Sequence, residues 1–145
     1  MASQLSGAAV IGQSGGPTNV INQSLIGAIL EANKHPNLIT NLYGALNGVD
    51  GILKERFINL RAESQENLEL VARTPSSALR SVRKKPTAEE CEQIFKVFQK
   101  HGVRYFFYIG GNDSAETAYI INEAAKKARY VGALSRKAES DPVAK

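Results

Sequence analysis

Arg104-Tyr105-Phe106-Phe107-Tyr108-Ile109-Gly110-Gly111-Asn112-Asp113-Ser114 passes directly from an apolar, aromatic run into two glycines and two polar side chains. Aromatic and β-branched residues in a short unbroken run read as a buried strand. The segment from Ser114 to about Ala128 reads as a helix, with Ala118, Ile121, Ala125 and Ala128 as a small-apolar stripe. The same grammar occurs near the start. Ala8-Ala9-Val10-Ile11 reads as a strand, Gly12-Gln13-Ser14-Gly15-Gly16-Pro17 as a turn, and Thr18 or Asn19 as the cap of a helix to about Lys34. Ile21, Leu25, Ala28, Ile29 and Ala32 share one face of that helix.

Between these units the alternation continues. His35-Pro36-Asn37 ends the first helix, and Leu38 to Tyr43 reads as a second strand. Gly44, Gly48 and Gly51 then read as punctuating a loop. Phe57-Ile58-Asn59-Leu60 reads as a short strand, and Ser64 as the cap of a short helix through Leu68 and Val71. Thr74 to Pro86 is polar, basic and serine-rich, a loop. Thr87-Ala88-Glu89-Glu90 is a capping-box pattern. The helix it opens sets Cys91, Ile94, Phe95 and Phe98 on one face and ends at His101-Gly102. Strands alternating with helices predict an α/β fold, a Rossmann-like, largely parallel sheet with flanking helices.

A chain of 145 residues suits one domain, and 43% hydrophobic with 22% charged residues excludes global disorder. The net charge of +4 is modest, with basic residues concentrated at Arg80, Arg83, Lys84 and Lys85. That charge suits a small anion as well as a nucleic acid; the reading taken here is a small anion, with no nucleic-acid partner. One cysteine excludes an internal disulfide, and Cys91 on an apolar stripe reads as core. His35 and His101 stand at helix ends and lack metal-ligand spacing. No apolar run reaches membrane-spanning length, and no leader pattern opens the chain, so a cytoplasmic location and no membrane partner are expected.

The two glycine turns are where chemistry is expected. Glycine lets backbone N–H groups approach an anion, and the following helix adds partial positive charge. Neither turn is Gly-x-Gly-x-x-Gly, and neither continues into Gly-Lys-Ser/Thr, so both standard nucleotide loops are excluded. Each turn alone is equally readable as βα geometry, with Asp113 or Ser114 serving as a helix cap. On one sheet edge, however, the two would hold a polyphosphate between them. The serines and arginines of Thr74–Lys85 are either phosphoryl ligands or a solvated basic loop.

Taken together, these segments resemble the amino-terminal part of the phosphofructokinase family. Gly12-Gln13-Ser14-Gly15-Gly16-Pro17-Thr18, with Ile21-Asn22 beyond it, is similar to that family's first phosphate loop. Thr74-Pro75-Ser76-Ser77-Ala78-Leu79 followed by Arg83 is similar to its arginine-bearing loop, and Tyr105 to Ser114 to its second phosphate loop. Tyr43-Gly44-Ala45-Leu46-Asn47-Gly48 supports the diphosphate-dependent branch. The resemblance runs from about Ala9 to Tyr130. It implies transfer of a phosphoryl group from diphosphate to the 1-hydroxyl of fructose 6-phosphate with Mg²⁺, in glycolysis, by an enzyme that is a homo-oligomer when complete. It implies diphosphate binding by Gly15, Gly16, Arg83, Gly111 and Ser114, metal binding by Asn112 and Asp113, and donor selection by Asp113. ATP-dependent members carry a magnesium-binding aspartate where Asn112 stands and glycine where Asp113 stands.

Two departures accompany the resemblance. Arg80 stands where the family often has a small residue. The family's later Thr-Ile-Asp-Asn-Asp segment, which supplies the general base, does not occur in this sequence. Residues 1–130 are therefore expected to form a partial donor-phosphate-binding domain, 131–145 a poorly patterned tail, and the chain alone to be inactive as a kinase. The alternative is a non-catalytic phosphate-binding or regulatory module.

Overall fold

The computed structural model describes residues 4–127; Ala128 of the last helical stripe and the tail 131–145 lie outside the described residues. The elements run β1 (Gly7–Gln13), α1 (Ile21–Asn33), β2 (Ile39–Ala45), α2 (Gly48–Leu53), β3 (Phe57–Asn59), a 3₁₀ turn (Leu60–Ala62), α3 (Gln65–Arg73), α4 (Ala88–Lys100), β4 (Val103–Ile109) and α5 (Asn112–Lys127). They form one sheet in the order β3-β2-β1-β4. β1 pairs in parallel with both β2 and β4.

The α/β expectation holds, with one edge reversed: β3 lies antiparallel on β2. A parallel return needs a crossover of roughly a dozen residues or more. Residues 46–56 instead turn back locally, with the Leu46 amide donating to the Arg56 carbonyl at 3.0 Å.

Strand periodicity explains the two-sided core. On β1, Ala8 and Val10 point to one face, where Val49, Ile52, Cys91, Ile94, Phe95, Phe98 and Ile121 of α2, α4 and α5 cover them. Ala9 and Ile11 point to the other, under Leu25, Ile26, Ile29 and Leu68 of α1 and α3. Both faces are buried, so β1 reads as an unbroken apolar run rather than an alternating one. Cys91 is core as expected, and burial, with a smaller contribution from Glu90, raises its thiol pKa.

The capping expectations divide. Ser64 accepts from the Asn67 amide and Thr87 from the Glu90 amide, as their patterns predict. Thr18 and Asn19 do not cap α1: the helix starts at Ile21, Val20 holds the cap position, and no side chain caps it. Thr18 Oγ1 instead accepts from the Val20 amide at 3.4 Å, closing a local turn before the helix. Asp113 and Ser114 lie inside the first turn of α5, which starts at Asn112.

The glycine-punctuated segment is also corrected. Gly48–Leu53 is helical, because Asn47 (φ 63°) and Gly48 (φ 56°) turn the chain so that Val49 and Ile52 bury against the sheet. Tertiary packing overrides the weak helix propensity of two glycines.

Candidate functional site

The chain leaves β1 toward β2 on one side of the sheet, while β4 pairs on the other. The carboxyl ends of β1 and β4 therefore sit at the point where the strand order reverses, the usual place for a crevice in such sheets. The Ser14 amide donates to the Ile109 carbonyl at 2.9 Å, so the two glycine turns emerge side by side. Between them and the loop after α3 lies a cleft of about 1190 Å³. Gly15, Gly16, Arg83, Gly111, Asn112, Asp113 and Ser114, the residues expected from sequence, all line it. Lys84 and Lys85, absent from that expected set, line it too.

The glycines of the two turns have different physical reasons. A Cβ on Gly12 would meet the Tyr108 ring at 2.8 Å, and one on Gly110 would overlap the Ser14 carbonyl and the Ser114 hydroxyl. Those two glycines serve packing. Gly15 has φ +80°, a conformation other residues adopt only at a cost. At Gly16 and Gly111 a Cβ would meet nothing within 4 Å. Neither the packing nor a positive φ calls for glycine there; both positions keep backbone bare on the wall of the cleft.

Two helices begin at this cleft, α1 and α5, and the first turn of α1 contains no acidic residue. Its partial positive charge is thus not compensated within its own first turn. Ser114 is 1% exposed, yet its hydroxyl has no hydrogen-bond partner among the described residues. It lies 3.9 Å from where a Cβ would stand on Gly15, at the seam between the two turns. A buried, unpaired hydroxyl costs free energy unless a ligand or water completes it.

The third wall is a loop with little regular structure, held by buried amides. Gln13 Oε1 accepts from the Leu79 amide at 2.7 Å and from Ser77 Oγ at 3.1 Å, and its Nε2 donates to the Ile21 carbonyl. Asn22 accepts from the Ala78 amide at 2.8 Å and donates to the Thr74 carbonyl at 2.9 Å. Ser14 Oγ donates to the Val82 carbonyl, and Ser81 Oγ to the Gly15 carbonyl. Leu79 is buried against the sheet. The loop is therefore anchored through residues 77–82, while most of its side chains, Arg83 included, stay exposed. Sequence reading missed Gln13 and Ser81 as positioning residues. The available signal was a glutamine directly following a buried strand.

The fixed loop delivers three cations to the cleft wall. Among the described residues, Arg83 has no carboxylate partner, Lys84 faces Glu90 at 3.2 Å, and Lys85 contacts Glu116 at 2.6 Å and Asp113 at 3.9 Å. The contact with Glu116, and secondarily the charge of Asp113, raises the Lys85 pKa. Arg80 is exposed, does not line the cleft, and has φ 63°. Its side chain faces solvent, and the left-handed backbone explains why a small residue suits that position.

Among the described residues, no three His, Cys, Asp or Glu side chains are grouped to hold an ion. Asn112 and Asp113 offer two oxygen donors, and Asp113 is 81% exposed. That set fits a cation that arrives with a polyphosphate and keeps its waters, as Mg²⁺ commonly does.

The phosphofructokinase family model matches residues 8–135. A pyrophosphate–fructose 6-phosphate 1-phosphotransferase from Rhodospirillum rubrum is 54% identical over 86% of this chain and 30% of its own length. Crystal structures of pyrophosphate-dependent phosphofructokinases superpose with TM-scores of 0.77 (Marinobacter aquaeolei, 40% identity) and 0.79 (Nitrosospira multiformis, 38% identity). They cover 85% and 83% of this chain, and 31% and 30% of their own. The chain thus spans less than a third of the length of these relatives, and with a family match over most of its residues and the same fold, it belongs to the phosphofructokinase family.

Proposed function

We propose that the cleft binds diphosphate as the phosphoryl donor, and that the complete protein transfers a phosphoryl group from it to the 1-hydroxyl of fructose 6-phosphate. The observation that carries this reading is the bare backbone at Gly16 and Gly111, two positions facing the cleft where nothing among the described residues fills the space of a Cβ. The printed names of the relatives support the donor and the acceptor.

In this reading Gly15, Gly16 and Gly111 offer backbone amides to diphosphate oxygens, and Ser114 donates its unpaired hydroxyl. Arg83, without a carboxylate partner among the described residues, neutralises phosphoryl charge and can do so bidentately. Asp113 selects the donor. A carboxylate there occupies the room that the α-phosphate and ribose of a nucleotide would need and repels the α-phosphate. Mg²⁺, when bound, would offset charge on the transferring group and the leaving phosphate. Asn112 and Asp113 would hold it together with diphosphate oxygens. The same reading puts the complete protein in glycolysis as a cytoplasmic homo-oligomer. Among the described residues no helix is long and apolar enough to cross a membrane.

The donor half of a site does not make a kinase. Loss of a general base alone costs about 10²–10⁴ in rate, and the present sequence contains no Thr-Ile-Asp-Asn-Asp segment. The 145-residue chain is expected to bind diphosphate without turnover. Calorimetry with diphosphate and with ATP, each with and without Mg²⁺, tests this. Binding of diphosphate alone is the expected result. Binding of neither ligand, or of ATP in preference, would refute the donor assignment. Diphosphate-dependent formation of fructose 1,6-bisphosphate by the purified chain would refute its inactivity.

A further inference from the structure

Lys85, at the end of the anchored loop, lines the cleft, and Glu116 stands on α5 just outside the lining. They are separated by 31 residues and joined at 2.6 Å. Asp113, one helical turn before Glu116, is the second carboxylate near the ammonium, at 3.9 Å. The pair is half-exposed on both sides, and such pairs exchange readily because solvent screens them. Lys84 cannot substitute without breaking its own contact with Glu90.

We propose that Glu116 is an affinity-setting residue that holds Lys85 in reserve: an entering phosphoryl anion takes the Lys85 ammonium from Glu116, so Glu116 competes with the ligand instead of helping it. This rests on the diphosphate reading of the cleft. The argument is one of geometry and charge. A lysine is a compact point charge on a flexible stem, suited to swing between two anions. The α1 end and Arg83 are already positive, so the ammonium is attracted to the cleft most strongly once an anion is inside. Gln13, Asn22, Ser14 and Ser81 already hold residues 78–82 of that loop against β1 and α1, so the loop's position over the cleft does not depend on the pair alone. The competing role differs from a strut in the sign it predicts at Glu116.

The test is diphosphate calorimetry on the 145-residue chain with Mg²⁺, comparing wild type, Lys85→Met, Glu116→Gln and the double variant, each checked by urea unfolding. Removing a charged donor to phosphate weakens binding about tenfold or more, so Lys85→Met is expected to do so. Glu116→Gln is expected to tighten binding by about threefold, the scale of an exposed pair. The double variant should bind like Lys85→Met, because Glu116 acts only through the lysine. Lys85→Arg should retain most of the affinity. Weakening by Glu116→Gln in parallel with Lys85→Met would identify a strut and overturn the proposal. No change with Glu116→Gln, or tightening that persists without Lys85, would overturn it too. A wild-type chain that fails to bind diphosphate would instead overturn the donor-site reading, and this inference with it.

Discussion

The side-chain oxygen of Gln13 accepts a 2.7 Å hydrogen bond from the backbone amide of Leu79, 66 residues later in the chain. Both residues are buried, so no water replaces the bond when it is lost. This contact fixes where the arginine-bearing loop sits over the first glycine turn. It is as much a part of the cleft as any residue that touches a ligand.

Gln13→Leu, close in size, should leave the Leu79 amide buried and unpaired. A buried donor without a partner costs about 1–3 kcal/mol. We expect a fall of that size in urea-derived stability and a larger relative loss in diphosphate affinity, because Arg83 and Lys85 lose their fixed position. Unchanged affinity in a folded Gln13→Leu chain would show that the loop is held adequately without it.

The glycines give a test that separates folding from binding. Gly111→Ala adds a methyl group where nothing lies within 4 Å. Its stability should hold or rise by about 0.4–1 kcal/mol, through the unfolded chain. Its diphosphate affinity should fall, since the methyl stands where the ligand is proposed to approach. Gly12→Ala meets the Tyr108 ring and Gly110→Ala the Ser14 carbonyl, so both should destabilise the fold by about 1–3 kcal/mol. Paired measurements of melting temperature and calorimetric affinity on the three variants check the pattern.

Much of this was legible in the chain itself, and the reason is periodicity. α1 and α4 each carry an apolar stripe and β1 an unbroken apolar run buried on both faces, and the two Gly-Gly turns sit directly after their strands; β4, read as a buried strand, is instead a half-covered edge strand that leaves Phe107 exposed. What local pattern does not carry is pairing across distance. Gln13 with Leu79, Asn22 with Ala78 and Lys85 with Glu116 connect segments tens of residues apart, and no spacing rule signals them. α2 was hidden for a different reason. Its glycines read as loop punctuation, while Gly48 is required by a positive φ and Gly51 by the closeness of the Leu46 backbone.

Acid should weaken the joint between α2 and α4. Glu55 follows α2 and contacts Lys100 and His101 at the end of α4, each at 2.8 Å. The hydrogen bond from Lys100, then that from His101, lowers the Glu55 pKa below its ordinary value of 4.5. The unfolded chain therefore binds this proton at higher pH than the folded one does. Its stabilising contribution is present above pH 4.5 and is lost as the pH falls through the lower, folded value. Glu55→Gln should flatten the pH dependence of stability in that acid range. Because the pairs are solvent-exposed, added salt should shrink the wild-type effect. Urea midpoints between pH 3 and 7 at low and high salt measure both, and a slope unaltered by Glu55→Gln would assign the acid sensitivity to other carboxylates.

Arg80 offers the opposite case, a residue beside the site whose replacement should help the fold and leave binding alone. Its φ of 63° lies in the left-handed region, where a side chain other than glycine pays roughly 1–2 kcal/mol. Its own backbone is tied to Ser77, whose backbone carbonyl accepts from the Arg80 amide at 2.9 Å and whose hydroxyl, shared with Gln13 Oε1, lies 2.7 Å from the Arg80 carbonyl. The turn is therefore set by the loop and persists in a variant. Arg80→Gly removes the strain but gives the unfolded chain more freedom, which offsets part of the gain. The net expectation is stabilisation of up to about 1 kcal/mol. Arg80 is exposed and outside the cleft lining. Diphosphate affinity should accordingly change far less in Arg80→Gly than in Arg83→Met. Equal losses in the two variants would mean that Arg80 reaches the ligand from outside the cleft wall, and the turn strain would then be part of how it is aimed.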